Sequence, residues 1–218
     1  MIERSDGYTA IEDVGKYFQP ASRWLACERE IARHARGRVL DVGAGAGRVA
    51  LHLQERRHDV VAIDTSEGAI EVSSDRGVRD ARLRSVSSLR AADGPFDTYV
   101  LFGNNLGLLR DRRHAPWLLR RFRATGGPAV RILGVTRDPY RTEDPAHLRY
   151  HAANRAQGRM GGQGRLRLRY LDHRSAWFDY LFLSLPELEE VAADGGWRVA
   201  EVADDGGPVY AVMLAPAT

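Results

Sequence analysis

The sequence predicts an α/β fold built on a doubly wound, mostly parallel sheet with helices on both faces. Two short apolar runs, residues 39–42 and 60–63, are typical of buried strands. A glycine-rich turn and a predicted helix over residues 48–57 separate them, so the order is strand, helix, strand. The first run contains Asp41, and Asp64 directly follows the second. Because ligands bind at the carboxyl ends of the strands in such sheets, we expect the functional site there.

The composition is that of an ordinary globular chain. Its 218 residues are 44% hydrophobic and 28% charged, which is enough for one domain with a full core. The single cysteine, Cys27, excludes an internal disulfide and a cysteine-rich metal site. The net charge of +3 is too small to indicate nucleic acid. No apolar run is as long as a membrane span, and residues 1–6 lack the pattern of a signal peptide, so we expect a cytoplasmic protein.

The turn after the first predicted strand has glycines at three alternate positions, Gly43, Gly45 and Gly47. Such glycines let the backbone turn sharply and approach a ligand closely. A dinucleotide would prefer a glycine at the position of Arg48, and Asp41 would place negative charge near its pyrophosphate. The same carboxylate suits the ammonium of a methionine moiety. The pattern therefore favours a cationic adenosine ligand, and we do not expect a nicotinamide dehydrogenase.

Residues 39–47 resemble motif I of the class I S-adenosylmethionine (SAM)-dependent methyltransferases, an acid-x-G-x-G-x-G pattern. Asp64 resembles the acid of the second strand that holds the ribose in that family. The resemblance implies a seven-stranded sheet whose last strand is antiparallel, SAM as cofactor and S-adenosylhomocysteine (SAH) as product. The structural alternative is a strand–turn–helix unit that binds no SAM. We expect cofactor contacts from Asp41, Gly43, Ala44, Gly45, Gly47, Asp64, Thr65, Ser85, Ser87, Phe102, Gly103 and Asn104.

The N-terminal residues 1–36 are predicted to form a helical lid segment. Apolar residues between Ala21 and Arg36 recur at helical spacing and give a stripe that would pack on the sheet. In related methyltransferases such a segment often closes over cofactor and substrate, so Tyr17 and Trp24 resemble lid residues that bind the substrate. The alternative is that these two aromatic side chains fill the edge of the core.

The middle of the chain continues the alternation of helices and strands. The predicted elements are a helix over 65–76, a weak strand over 78–83, a strand over 95–102, a helix from Pro116 and a strand over 129–135. The family commonly has an acid in the loop after the third strand that meets the adenine amino group, whereas this chain has Ser85 and Ser87 there. The strand over 95–102 ends in Gly103-Asn104-Asn105, which we expect to face the reaction zone, with Asn105 binding the acceptor.

Residues 138–183 are predicted to be an insertion on the substrate side. His114, which precedes the fourth helix, and His151 are candidate general bases, and Tyr140 is a candidate hydrogen-bonding partner of the substrate. His147 is expected to bind the substrate. His147 and His151 would share one face of a helix, but no third ligand is evident, so we expect no metal site.

The remaining segments complete the predicted sheet. The alternating residues 165–170 indicate a half-buried strand with one basic face, paired with residues 177–183. That basic row either binds an acidic substrate or is solvated. A capping box at Ser184 begins a helix that ends at Gly195, and residues 197–202 and 208–214 are the last two strands.

The sequence thus predicts one domain over residues 1–218 that transfers a methyl group from SAM to a small-molecule acceptor with an N, O or C nucleophile, in specialised metabolism. The alternatives are an RNA or peptide methyltransferase and a non-catalytic module that binds SAM or SAH. We expect a small-molecule partner, neither nucleic acid nor membrane, and a monomer or homodimer.

Overall fold

The structure is a computed structural model that describes residues 1–217 and contains two β-sheets. The strands are β1 (Ile2–Arg4), β2 (Thr9–Ala10), β3 (Arg38–Val42), β4 (Asp59–Asp64), β5 (Ala81–Leu83), β6 (Phe96–Leu101), β7 (Gly126–Arg137), β8 (Gln163–Tyr170), β9 (His173–Arg174), β10 (Phe178–Leu181), β11 (Trp197–Asp204) and β12 (Val209–Pro216). The α-helices are α1 (Ala26–Ala32), α2 (Arg48–Glu55), α3 (Glu67–Asp75), α4 (His114–Thr125), α5 (Pro145–Ala156) and α6 (Leu185–Asp194). Short 3-10 helices lie at Val14–Phe18, Ala21–Arg23, Val86–Ser88, Ala91–Asp93 and Asn105–Leu109.

The main sheet has seven strands in the order β5-β4-β3-β6-β7-β12-β11. The five strands from β5 to β7 are parallel, and β12 is antiparallel to both β7 and β11. The predicted doubly wound, mostly parallel sheet with an antiparallel last strand is therefore confirmed. The chain builds outward from β3 in one direction and then returns to add β6 on the other side. The carboxyl ends of β3 and β6 thus flank the crevice where such folds bind ligands.

Apolar side chains cover both faces of this sheet. One face packs against α4 and α6, with Phe122 and Val191 among its buried residues. The other face packs against α1 and α2, with Ile31 and Leu53 buried. Each fully buried side chain of this size stabilises the fold by roughly 1.5–3 kcal/mol relative to exposure. Of the described helices, none is long and apolar enough to cross a membrane.

Several predicted element boundaries differ from those of the structure. The second helix ends at Glu55 instead of residue 57, where Arg57 adopts a left-handed φ of 66° that cannot continue a helix. The third strand is shorter, and β7 is longer, than predicted. Strand length depends on the neighbours that a segment pairs with, which the sequence of that segment does not contain.

The N-terminal segment is not the helical lid that the sequence suggested. Its only α-helix is α1, because residues 21–23 form a separate 3-10 helix and residues 2–4 and 9–10 are strands. β1 pairs with β8 in antiparallel register, which places Ile2 opposite Leu168. A partner more than 160 residues away supplies the backbone hydrogen bonds of a three-residue strand, so no local pattern reveals it.

The second sheet has the order β10-β8-β1-β2, with β9 paired to β8. The predicted pairing of the two strands in the insertion is confirmed by the register of Phe178 opposite Leu166. The basic row of β8 has a partner of its own, because Arg167 forms an ion pair with Glu3 of β1 at 2.8 Å. That side of β8 is opposite to Leu166 and Leu168, which line the cavity described below.

Candidate active site

A cavity of about 1080 Å³ lies at the carboxyl ends of the parallel strands, between the two sheets. The ends of β3 and β4 and the residues after β6 form one side of the cavity. Residues of β1, β8 and β10 form the opposite side. The volume is slightly above the roughly 300–1,000 Å³ of ordinary ligand sites. It therefore provides room for a cofactor and an acceptor together.

The glycine turn after β3 runs along this cavity. Gly43 and Gly45 have positive φ angles of 70° and 55°, a region in which a side chain would be strained. The N–H groups of Gly43 and Ala44 donate to the carbonyl of Ile63 at 2.9 and 3.1 Å, which fixes the turn on β4. No atom lies within 4 Å of the position that a Cβ of Gly45 would take. A ligand can therefore approach the backbone of this turn closely.

Gly47 serves packing and does not line the cavity. It is the N-cap of α2, with a φ of 77°. A Cβ at this position would lie 2.6 Å from Cγ2 of Val78 and 3.1 Å from Cβ of Ser73 on α3. The missing side chain of Gly47 thus lets α2 begin close to α3, and its predicted cofactor contact remains a prediction.

Asp41 is a buried carboxylate on the cavity wall. Its side chain is 2% exposed, and Oδ2 has no hydrogen-bond partner among residues 1–217. Burial raises the pKa of Asp41 to about 7, against the opposing effect of the nearby Arg48 guanidinium. A buried acceptor oxygen without a partner costs free energy unless a ligand provides a donor. The group that fits here is a cation with N–H donors, such as the ammonium of a methionine moiety.

Asp64 lies at the end of β4 and faces the same cavity. Its Oδ2 accepts from the N–H of Gly45 at 2.9 Å and its Oδ1 accepts from the N–H of Ser66 at 2.9 Å. Two backbone donors hold the carboxylate in one orientation and leave further lone pairs for ligand hydroxyls. Thr65, the next residue, also lines the cavity.

The residues after β6 form a second polar group in the wall: Phe102, Gly103, Asn104 and Asn105. Asn104 has a left-handed φ of 70°, and its side-chain Oδ1 is buried without a partner in the described chain. Asn105 donates from Nδ2 to the carbonyls of Val42 and Gly43, both at 2.9 Å. Both amide hydrogens of Asn105 are used on the glycine turn, so this side chain holds the turn, and its predicted contact with the acceptor remains a prediction.

Comparison with known proteins agrees with this geometry. A family profile described as a methyltransferase domain matches residues 39–127. A SAM-dependent methyltransferase from Bacteroides fragilis, solved with SAH, is 29% identical and has a TM-score of 0.83, covering 100% of this chain and 87% of that one. Residues 39–127 match the methyltransferase domain, and the whole chain has the fold of the class I SAM-dependent methyltransferases. It is an enzyme of that fold, and SAM is its cofactor.

Two further solved methyltransferases share the fold at lower identity. The 1,6-didemethyltoxoflavin-N1-methyltransferase of Burkholderia thailandensis, solved with its substrate and SAH, is 22% identical, with a TM-score of 0.57 over 88% of this chain and 79% of that one. The glycopeptide N-methyltransferase MtfA, solved with SAM, is 15% identical, with a TM-score of 0.60 over 88% of this chain and 92% of that one. These two likenesses concern the fold alone.

On the adenine side the methyltransferase has hydroxyl groups in place of an acid. Ser85 and Ser87 both line the cavity. The Ser85 hydroxyl accepts from the N–H of Ser87 at 3.2 Å and so caps the short 3-10 helix that follows. Asp93, an acid that follows this loop, is held by Arg84 in an ion pair at 2.6 Å. The serine hydroxyls and backbone groups of this loop are thus available for hydrogen bonds on this side of the cavity.

An ion pair beneath the cavity was missed by sequence reasoning. Arg48 lines the cavity and pairs at 2.7 Å with Glu28 of α1, which is 4% exposed. The Arg48 guanidinium lies 4.8 Å from the ring centroid of Trp24. Trp24 is itself 4% exposed, donates from Nε1 to the carbonyl of Gln19, and is not among the described residues of the cavity wall. The burial of Trp24 favours the alternative of a core aromatic residue, and its predicted substrate contact remains a prediction.

Tyr17 is the aromatic residue of the N-terminal segment that reaches the cavity as predicted. Its hydroxyl donates to Glu12 at 2.8 Å, and burial together with that carboxylate raises the pKa of Tyr17 above its ordinary value. The phenol is therefore neutral throughout the physiological range, and Glu12, which also pairs with Lys16, fixes its direction.

The insertion brings two of its histidines to the cavity. His147 and His151 lie on α5 as predicted, with ring centroids 6.1 Å apart and planes 13° from parallel. Burial, followed by the effects of the neighbouring His147 and Arg4, lowers the pKa of His151 to about 4. Its imidazole is thus neutral at physiological pH, and its buried Nδ1 has no partner in the described chain. Among residues 1–217 no group of three ligating side chains is placed to hold a metal ion.

Two other candidates lie outside the cavity wall. His114 begins α4, where its ring packs on Trp117 at 4.9 Å. Tyr140 donates its hydroxyl to Glu187 of α6 at 2.8 Å and is 40% exposed. Neither residue is among the described residues that line the cavity, and the roles predicted for both remain predictions. The sequence around His114 and Tyr140 does not indicate the direction in which these two side chains point.

Arg4 of β1 is the other functional residue that the sequence did not reveal. It is 7% exposed, lines the cavity and pairs with Asp6 at 2.7 Å. Its NH1 group donates to Nδ1 of His147 at 2.8 Å, which places the ring proton of neutral His147 on Nε2. The guanidinium lies 3.9 Å from the ring centroid of Tyr150 on α5. Arg4 therefore fastens the N-terminal strand to the insertion.

Proposed function

We propose that this methyltransferase transfers the methyl group of SAM to a small molecule held between the two sheets. One observation carries the proposal: residues of the main sheet and of the second sheet line the same cavity of about 1080 Å³. An acceptor must therefore fit between the glycine turn and the β1-β8-β10 side. A folded macromolecule does not fit in that space.

In the cofactor half of the cavity, different residues contact different parts of SAM. We assign the methionine ammonium to Asp41, the ribose hydroxyls to Asp64, and the adenine to Ser85 and Ser87. Backbone groups of Gly43, Ala44 and Gly45 and the side chains of Thr65, Phe102 and Asn104 complete the contact surface, with Gly103 between them. When bound, SAM supplies a methyl group that its sulfonium sulfur makes electrophilic.

The protein then has to position the acceptor, exclude water and accommodate the proton that the acceptor loses. Positioning by itself is worth on the order of 7–11 kcal/mol in favourable model systems. Asn104 presents a buried carbonyl oxygen that can accept a hydrogen bond from an acceptor N–H or O–H. His151 presents a neutral imidazole, which can accept a hydrogen bond or the departing proton. We assign acceptor orientation to these two residues, with His147 and Tyr17 beside them.

We place the acceptor in specialised metabolism, and solved proteins of the same fold act on acceptors of more than one kind. The Burkholderia thailandensis enzyme was solved with 1,6-didemethyltoxoflavin, and MtfA is a glycopeptide N-methyltransferase. An RNA substrate would instead show binding that weakens steeply with salt, because phosphate contacts release counterions.

The test begins with ligand binding. SAM and SAH, but not NAD, are expected to raise the melting temperature of the wild type, since a ligand that binds only the native state stabilises it. Asp64→Ala weakens this effect, whereas the matched control Asp59→Ala, at the exposed beginning of the same strand, retains it. SAH production is then followed across a panel of small amines, phenols and carbon acids, with tRNA and peptides as comparison. Stabilisation without turnover of any acceptor would point to a binding module, and turnover of RNA or peptide alone would overturn the small-molecule assignment.

A further inference from the structure

One wall of the cavity on the acceptor side is aromatic. Phe178 and Tyr180 occupy alternate positions of β10, and Phe182 follows at the next alternate position, so the three side chains share one face. All three line the cavity. Neighbouring rings meet edge to face, with centroids 6.1 Å and 5.3 Å apart. Such a surface of apolar rings suits a planar aromatic ligand.

This aromatic wall begins at the reaction zone. The Tyr180 hydroxyl donates to the backbone carbonyl of Asn104 at 2.5 Å. Gly107, in the 3-10 helix after Asn104, has no room for a side chain, because a Cβ would lie 2.2 Å from the Tyr180 ring. The ring of Tyr180 is therefore fixed beside the residues that follow β6, where the acceptor atom must lie.

The other end of the wall reaches the end of β7. The N–H of Phe182 donates to the carbonyl of Gly162 at 3.0 Å. A Cβ on Gly162 would lie 2.9 Å from Cγ of Pro139. Phe182 thus lies close to the segment that follows Arg137, the last residue of β7. Arg137 and Pro139 both line the cavity.

The arginines along the cavity are not all paired with acids, and Arg137, one of those without an acid partner in the described chain, is exposed. Six arginines line the cavity: Arg4, Arg48, Arg84, Arg110, Arg137 and Arg141. Four of them form ion pairs with acids: Arg4 with Asp6, Arg48 with Glu28, Arg84 with Asp93, and Arg141 with Asp204. Within the described chain, Arg110 and Arg137 have no carboxylate within 4.0 Å. Asp138, the acid next to Arg137 in the sequence, forms its ion pair with Arg141, at 3.5 Å.

His147 lies within the electrostatic influence of Arg137. Burial and then Arg4 lower the pKa of His147, Asp144 raises it, and Arg137 lowers it by a smaller amount than Asp144 raises it. A guanidinium without a carboxylate partner offers a planar pair of N–H donors to a carboxylate or phosphate. A ligand anion at this end would balance the charge that the protein leaves uncompensated.

We propose that the acceptor is a planar aromatic molecule that carries an anionic group, with its ring on the Phe178–Tyr180–Phe182 wall and its anion at Arg137. The inference rests on the proposed function and adds the substrate class to it. Arg137 is then a specificity-determining residue for the acceptor and leaves cofactor binding to the other half of the cavity.

The test uses ligand-observed NMR on the full chain saturated with SAH. The probes are benzoate, phenyl phosphate, benzamide and cyclohexanecarboxylate, together with their amino- and hydroxyl-substituted forms. Benzamide lacks the charge and cyclohexanecarboxylate lacks the aromatic ring, so each feature is tested separately. Benzoate and phenyl phosphate distinguish a carboxylate from a phosphate as the preferred anion. Each probe is measured on the wild type, Arg137→Gln, Arg137→Lys and the control Arg165→Gln, an exposed arginine of β8 that does not line the cavity.

We expect the aromatic anions to bind at least tenfold more tightly than benzamide or cyclohexanecarboxylate. Arg137→Gln should remove about tenfold of that affinity, the range of a hydrogen bond to a charged group. Arg137→Lys should recover part of it, and Arg165→Gln should have no effect. Equal or weaker binding of the aromatic anions, or no binding at all, overturns the inference. Because SAH affinity is measured by titration of each variant before the probes are added, a loss of the cofactor site is seen separately from a wrong substrate class.

Discussion

Replacing Asp41 by asparagine should move stability and cofactor affinity in opposite directions. The carboxyl group is buried, and its pKa lies near 7 in the folded protein instead of the ordinary 3.8. At about 1.4 kcal/mol for each tenfold change in an equilibrium constant, that difference corresponds to about 4 kcal/mol of destabilisation by the charged form. The groups that face it are Arg48, which favours the charge, and Asp64, which opposes it.

The sign of the pH dependence follows from the raised pKa. The folded state holds the Asp41 proton more tightly than the unfolded state does. This contribution to stability is therefore present in full below pH 3.8 and is lost as the pH rises through about 7. An unpaired amide at the same position costs about 1–3 kcal/mol. We therefore expect Asp41→Asn without ligand to be about 1–3 kcal/mol more stable than the wild type at pH 8, and not more stable at pH 4.

The affinity for SAH should fall in the same variant. A hydrogen bond between a carboxylate and an ammonium is worth about 1.5–3 kcal/mol, or about 10- to 150-fold in Kd. Urea unfolding at pH 4, 6 and 8 measures stability, and calorimetric titration with SAH measures affinity, with Asp59→Asn as a control on the same sheet. A variant that is less stable at pH 8, or that binds SAH as tightly as the wild type, would refute the assignment of Asp41.

Three further predictions concern the glycine turn and α5. Asn105→Ala removes two hydrogen bonds to the turn and should lower SAH affinity about tenfold with a smaller effect on the rate at saturation, measured as KM against kcat. Gly47→Ala should lower the free energy of unfolding in urea by about 1–3 kcal/mol, because Gly47 has a φ of 77° and a Cβ there would lie 2.6 Å from Cγ2 of Val78. Gly68→Ala, in an open helical position, should leave that free energy unchanged or raise it. His151 titrates near pH 4, so kcat should show no inflection from this residue between pH 6 and 8; a His151-dependent inflection there, absent from His151→Gln, would contradict a neutral imidazole.

The main sheet and the cofactor half of the cavity were predictable because their signals are local. The glycine turn, Asp41 and Asp64 lie within 24 consecutive residues, and a strand, turn and helix in that order have few alternative folds. The same rule correctly placed Asn104 at the end of a strand facing the cavity. Alternation of residue types also predicted the pairing of β8 with β10, whose partners are close in the sequence.

The acceptor half of the cavity was harder to predict from the sequence, because its residues are far apart in the chain and meet only in the folded structure. Arg4 reaches His147 across 143 positions, and Ile2 joins β8 through a strand too short to show a period. The direction of a side chain from a helix or loop was not predictable either: Trp24 points into the core, and His114 points toward Trp117.

The sequence by itself determined the fold, the cofactor and the two acids that line the cavity. Short-range steric and charge requirements specify a glycine turn between two strands. Only the tertiary structure decided what covers the acceptor. The second sheet forms through long-range backbone pairing of β1 with β8, and this pairing carries Arg4 to α5. No sequence pattern links Arg4 to His147 on α5, because the two side chains fit each other in shape and charge only after the chain has folded.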